Sequence, residues 1–217
     1  MPVAAPGNWN GEYELESISK RVFLNDWNLI HSVRFPRIPS KYKMYRFRNS
    51  AIYIIGSLEE EESPFPMKKE EDQIAERFKP IFKIRLSKVN IGSKMGYNKL
   101  YRVDGVILES NLHGKDIATT VYRYLVNHMK YNIMSDSDQY YGARVLWSKI
   151  SKGSDIKIDK IDISYGHEVI LQKDIVLKHG SSERDIDESF WSWNKDRSKE
   201  NIRGVMTKIS SYKAVTS

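Results

Sequence analysis

Residues Val103–Ser151 read VDGVILESNLHGKDIATTVYRYLVNHMKYNIMSDSDQYYGARVLWSKIS, and the fold turns on how this stretch is parsed. Val103, Val106, Ile107 and Leu108 form a short apolar run between Asp104-Gly105 and Ser110-Asn111, as a buried strand end does. His113-Gly114-Lys115-Asp116 is polar and holds a glycine. Ile117, Val121, Tyr124, Leu125 and His128 then recur at helical spacing, as do Ala118, Tyr122, Leu125 and Met129; the spacing predicts a helix over Ile117–Met129. Asn132-Ile133-Met134 reads as a second strand. Asp136 or Asp138 is a candidate cap for a second helix over Gln139–Ile150, with Ala143, Leu146, Trp147 and Ile150 on one face. A strand that feeds a loop and then a helix turns backbone N–H groups toward the loop, which suits an anionic phosphate.

The order strand, loop, helix, strand, helix resembles the acyl-CoA-binding core of the GNAT acetyltransferase superfamily. Its loop pattern Arg/Gln-x-x-Gly-x-Gly/Ala falls here on His113, Gly114, Lys115, Asp116, Ile117 and Ala118. The segment Ser135-Asp136-Ser137-Asp138-Gln139-Tyr140-Tyr141-Gly142-Ala143-Arg144-Val145-Leu146-Trp147 resembles more closely the GNAT-like proteins of tailed bacteriophages, which often read Ser-Asp-x-x-Gln-x-x-Gly-Ala-x-x-Leu-Trp. The resemblance implies a single α/β (α+β) domain over 1–217. Its sheet would be strongly bent and mainly antiparallel, with helices on both faces. It implies acetyl-CoA as co-substrate, with no metal, and an amine-bearing acceptor: a small molecule, a protein or a nucleobase.

The resemblance also assigns roles. His113 to Ala118 would cradle the pyrophosphate. Ile107 and Leu108 would pair with the pantetheine arm, and Glu109 would polarise the attacking amine directly or through a water. Ser135, Tyr140 and Tyr141 lie where the thiol end of CoA would be, and one of their hydroxyls would protonate the leaving thiolate. The alternative for these three is helix capping and core packing. Asp116 stands at the pattern's first glycine, so its carboxylate is expected either to turn away and cap the helix or to weaken CoA affinity. Trp147 stands where many family members carry a tyrosine acid, and an indole N–H only donates.

Composition sets outer bounds. The 217 residues suit one domain with additions, and 40% hydrophobic residues are enough for a core. Lys and Arg outnumber Asp and Glu by 35 to 28, and the net charge of +7 favours anionic partners. The absence of cysteine excludes disulfides, thiolate metal sites and a cysteine nucleophile. His31, His113, His128, His167 and His179 make no metal-ligand spacing, and no Gly-x-Ser-x-Gly elbow occurs. His128 reads as a core or boundary residue. No apolar run approaches the roughly 18 residues of a membrane span, and Met1–Gly11 lacks the features of a signal peptide. The expected location is the cytoplasm, that of the host if the chain is phage-encoded, with the virion as the other setting the resemblance allows.

Outward from the core stretch, residues 1–10 read as a loose arm anchored by Trp9. Alternation predicts a strand over Glu12–Phe23. Asn25 or Asp26 then caps a predicted short helix carrying Trp27, Ile30 and His31, which Pro36 and Pro39 end. Tyr42–Phe47 and Ala51–Ile55 read as a hairpin around Arg48-Asn49-Ser50. The acidic, proline-containing stretch 58–72 reads as an exposed linker or insertion, and Glu70–Phe78 as one or two helical turns. Ile81–Val89 and Lys99–Leu108 read as a long hairpin. Asp155–Ser164 alternates isoleucines with a phase slip at Asp159-Lys160 that suggests a bulge. Glu168–Leu171 and Ile202–Ile209 read as strands, and 178–201 as a charged excursion.

Two other readings stand beside the enzyme. One is a catalytically degenerate GNAT-like protein, a virion or host-takeover component that binds a partner. The other is a DNA-linked role, since DNA-modifying proteins of the Mom type also resemble this superfamily. Arg34–Arg48 interleaves cations (Arg34, Arg37, Lys41, Lys43, Arg46, Arg48) with Phe35, Tyr42, Tyr45 and Phe47, which fits a nucleic-acid face or two amphipathic strands with snorkelling cations.

Overall fold

A computed structural model describes residues 15, 18–48, 50–62, 74–90, 97–135, 141–153, 155–165, 168–172 and 202–209. The N-terminal arm with Trp9, the caps Asp136 and Asp138, Tyr140 and the 178–201 excursion lie outside the described residues, as does most of the 58–72 stretch. The described residues form a mixed α+β fold with a mostly antiparallel sheet and few helices. The chain divides into two compact units, one of Met1–Leu86 with Asp104–Ala118, the other of Ser87–Val103 with Thr119–Ser217.

The first unit is built on an aromatic core. Strand β1 (Ile18–Ser19) pairs antiparallel with β5 (Ile74–Lys88), putting Ile18 opposite Phe78. Helix α1 (Lys20–Asp26) follows at once, then strand β2 (Trp27–Ile30), strand β3 (Lys43–Phe47) and strand β4 (Ile52–Glu62). Neighbouring strands run β2-β3-β4-β5, antiparallel throughout. Two expectations are corrected here. The strand predicted to Phe23 ends at Ser19, and the helix predicted around Trp27 and Ile30 is strand β2. The physical reason is the core. As a helical residue, Phe23 stacks on Phe78 at 3.8 Å and 7° and meets Tyr45 edge-on at 4.7 Å, while Trp27, opposite Phe47 in the β2–β3 register, meets that ring at 5.2 Å. Aromatic burial of this size overrides a capping signal at Asn25 or Asp26.

The acidic run is also corrected: Leu58–Glu62 is the outer half of β4, paired with Ile74–Phe78 of β5, so Ile74–Phe78 is strand and not helix. Pro80 hid this continuity. It lies inside β5 at a register shift, where Ile55 faces Phe82 and Gly56 faces Pro80, and a bulge is the place where a strand tolerates a residue with no N–H. Glu59 on this half is held by Lys41 at 2.5 Å and Ser57 at 2.9 Å. The Lys41 bond and then the Ser57 bond hold its carboxyl below the usual carboxylate range.

The opening stretch folds as strand, loop, helix, strand and helix, with Asp104–Ala118 in the first unit and the rest in the second. Strand β6 (Leu100–Leu108), helix α2 (Ile117–Asn127), strand β7 (Asn132–Met134) and helix α3 (Tyr141–Ser151) follow in order. β6 and β7 are parallel, with Leu100 opposite Asn132, which requires a crossover such as α2. Strand β8 (Ile156–Tyr165) and strand β9 (Glu168–Gln172) come next, and strand β10 (Ile202–Lys208) inserts between β7 and β8. Val205 and Met206, adjacent on β10, are both fully buried, so this strand is covered on both faces. One face packs Leu100, Met134, Ile161 and Val205 with Val89 and Tyr97. Tyr97 donates to Asp159 at 3.0 Å; burial, then the Asp159 charge, push its hydroxyl pKa up.

The expected bulge at Asp159-Lys160 is absent from the β8–β10 ladder, whose register runs unbroken from Ile156 to Asp162. Ile156 and Ile158 are buried on one face and Ile161 on the other. The phase slip marks a change of buried face, which a strand permits when both faces are covered.

Candidate functional site

β6 ends on Ile107 and Leu108, both half-buried, and Glu109 leaves the strand with its N–H donating to Ile81 O at 3.0 Å. A 3-10 turn over Ser110–Leu112 follows. Leu112 N–H donates to Glu109 O at 3.0 Å, His113 N–H to Ser110 O at 3.4 Å and Lys115 N–H to Leu112 O at 3.3 Å. The N–H groups of His113 and Lys115 therefore close the loop on itself. At the start of α2 the first N–H groups have no intrahelical partner. The exposed His113 ring lies 3.4 Å from Leu108 O.

Gly114 has φ +79 and Asp116 φ +61. Nothing lies within 4 Å of where a Gly114 side chain would start, so the glycine serves the left-handed backbone and not a tight space. Asp116 takes the same conformation, which Asp and Asn tolerate better than most residues. A glycine would suit this position, which is where the family pattern has one. Ile117 is 1% exposed and anchors the helix start, with Ala118 half-buried beside it.

Sequence reasoning missed Arg37 as a member of this loop. Its guanidinium lies 2.8 Å from the Asp116 carboxylate and donates to Gly114 O at 3.4 Å, across 77 positions of sequence. Val33 and Ile38, each 9% exposed, pin the segment that presents it. The only available signal was indirect: a carboxylate in a phosphate-type loop needs a cation. The Asp116 carboxylate thus turns to Arg37.

Ser135, Tyr141, Trp147 and His128 belong to the second unit, and the Arg34–Arg48 segment to the first. Ser135 is 1% exposed; its hydroxyl accepts from Gly204 N–H at 3.1 Å and its own N–H donates to Gly204 O at 2.9 Å, which extends the β7–β10 pairing. Tyr141 opens α3. Trp147 is 2% exposed, in the core. His128, expected at the core or its boundary, is exposed just past α2 with its ring stacked on Tyr124 at 5.3 Å. In Arg34–Arg48, Tyr45 belongs to the aromatic core, and half-buried Phe47 packs on Trp27.

No group of acidic residues and histidines that could hold a metal ion occurs among the described residues, and none of their helices is long and apolar enough to cross a membrane. No family model, curated protein or solved structure matches the chain.

Proposed function

We propose that this chain is a GNAT-type N-acyltransferase that uses acetyl-CoA and an amine-bearing acceptor. The observation that carries the reading is the series of β6, a loop with two left-handed residues, α2 and the parallel strand β7. In this reading the N–H groups at the start of α2 hold the pyrophosphate and Arg37 supplies the positive charge that Asp116 offsets. Ile107 and Leu108 align the thioester arm. The amine nitrogen bonds to the acetyl carbonyl carbon, Glu109 takes its proton directly or through a water, the C–S bond breaks and the thiolate takes up a proton. Proximity supplies much of the rate. A bent sheet with helices on both faces, phage origin and action in the host cytoplasm belong to the same proposal.

Calorimetric titration with acetyl-CoA, with release of free CoA thiol as the activity readout, tests it. Arg37→Ala is expected to weaken acetyl-CoA binding and Asp116→Gly to tighten it, each by about two- to fivefold, the scale of an exposed charge pair. Both effects shrink as salt rises. Gly114→Pro abolishes binding, because proline fixes φ near −65° and the loop must be relaid. No uptake at millimolar acetyl-CoA overturns the enzyme.

A second reading is favoured by Trp147, which fills the core where a tyrosine acid would stand. Under it the chain is a degenerate GNAT-like protein that binds a protein or nucleic-acid partner, with Arg34–Arg48 as one candidate face. Asp116→Gly would then leave nucleotide affinity near zero and disrupt partner binding.

A further inference from the structure

At one end of the sheet in the second unit, successive strands start or stop on a lysine. β5 closes on Lys88, Lys99 leads into β6, Lys130 stands two residues before β7 and β10 closes on Lys208. The pairing brings these positions to the same end. Val89 N–H donates to Leu100 O at 2.9 Å, and Asn132 N–H donates to Lys99 O at 3.1 Å. Ile133 lies opposite Met206, and Lys208 opposite the first residue of β8. All four lysines are exposed. With strands about 4.8 Å apart, the row spans roughly 15 Å.

Two observations set this row apart from an ordinary solvated face. The Lys130 ammonium donates to Asn127 O at 2.5 Å, and the Lys208 side chain beside it holds Lys130 below its ordinary pKa. Like charges so placed repel, and an anion between them relieves the repulsion. Asp155, at the same end, already accepts from Asn127 at 2.6 Å and sits 3.7 Å from Arg123. In addition, Lys99 and Lys130 have φ 53 and 59. Glycine and asparagine fill that region readily, and a long side chain there is uncommon.

We propose that this lysine row docks the phosphate backbone of a nucleic-acid duplex. Four charges along a line outreach a single small anion and suit a repeating one. Contacts of this kind position a duplex without reading its sequence. The inference does not depend on acetyl-CoA binding, and it uses a different unit from the Arg34–Arg48 segment.

The test is fluorescence anisotropy of the full chain with a labelled mixed-sequence duplex, from about 50 to 200 mM salt. The variant is Lys99→Gly with Lys130→Gly and Lys208→Ala. Glycine accepts the left-handed backbone at the first two positions, so the thermal midpoint should hold. The expected result is salt-sensitive binding by the native chain and a log–log salt slope shallower by about 3 in the variant, at roughly 0.9 per phosphate contact. The loss should be equal for unrelated sequences. If the triple variant unfolds, Lys208→Ala alone decides, with a slope shallower by about 1. An unchanged slope in a folded variant overturns the proposal. So does a native chain that ignores the duplex, whether or not it binds anionic phosphatidylserine vesicles.

Discussion

Gly56→Ala is expected to destabilise the first unit by about 3 kcal/mol, the upper end of what overpacking costs. A methyl carbon there would sit 2.2 Å from Lys79 O and 2.5 Å from the Phe78 ring. The ring could yield; the carbonyl could not, because it belongs to β5 at the bulge that accommodates Pro80. Trimming the ring therefore gives no rescue: Phe78→Leu combined with Gly56→Ala should be less stable than either single variant. The readouts are the denaturant midpoint and amide hydrogen exchange, with accelerated exchange confined to β3, β4 and β5. A midpoint equal to that of the native chain would falsify the register assigned to β4 and β5.

Ile158→Ala and Ile161→Ala should each cost about 2–5 kcal/mol, as deletions of fully buried aliphatic side chains do. Their partners differ. Ile158 lies opposite Met206, whereas Ile161 packs with Leu100, Met134 and Val205 on the other face. The two losses should thus add within about 0.5 kcal/mol, while Ile161→Ala combined with Leu100→Ala should show a coupling above that. Strong coupling between Ile158 and Ile161 in the double variant would place them on one face and restore the bulge that the alternation suggested.

Much of the stretch from β6 to β10 was legible because its signals are local. Ile117 to Leu125 carry a helical period, and Asn132–Met134 is a short apolar run between polar flanks. β6 and β10 were likewise marked by turn residues or a change of pattern. The first unit was less legible because long-range packing shapes it. Nothing within a few residues of Phe23 says that it will stack on a ring 55 positions away, and Pro80 looks like a break until its bulge is seen. In the candidate site, the loop at Gly114 to Ala118 showed in the glycine and the strand-to-helix change. Arg37 did not, since no spacing rule joins it to Asp116.

The placement of β10 bears on how the molecule comes into being. A ribosome releases β7 and β8 long before residue 202, yet each has β10 as a direct neighbour. Until that segment emerges, Ile133, Ile156 and Ile158 lack the strand that pairs beside them. A sheet closed by so distant a contact forms slowly, and its unsatisfied edges invite association with other chains. Nascent chains stalled before residue 202 should be the ones that chaperones hold.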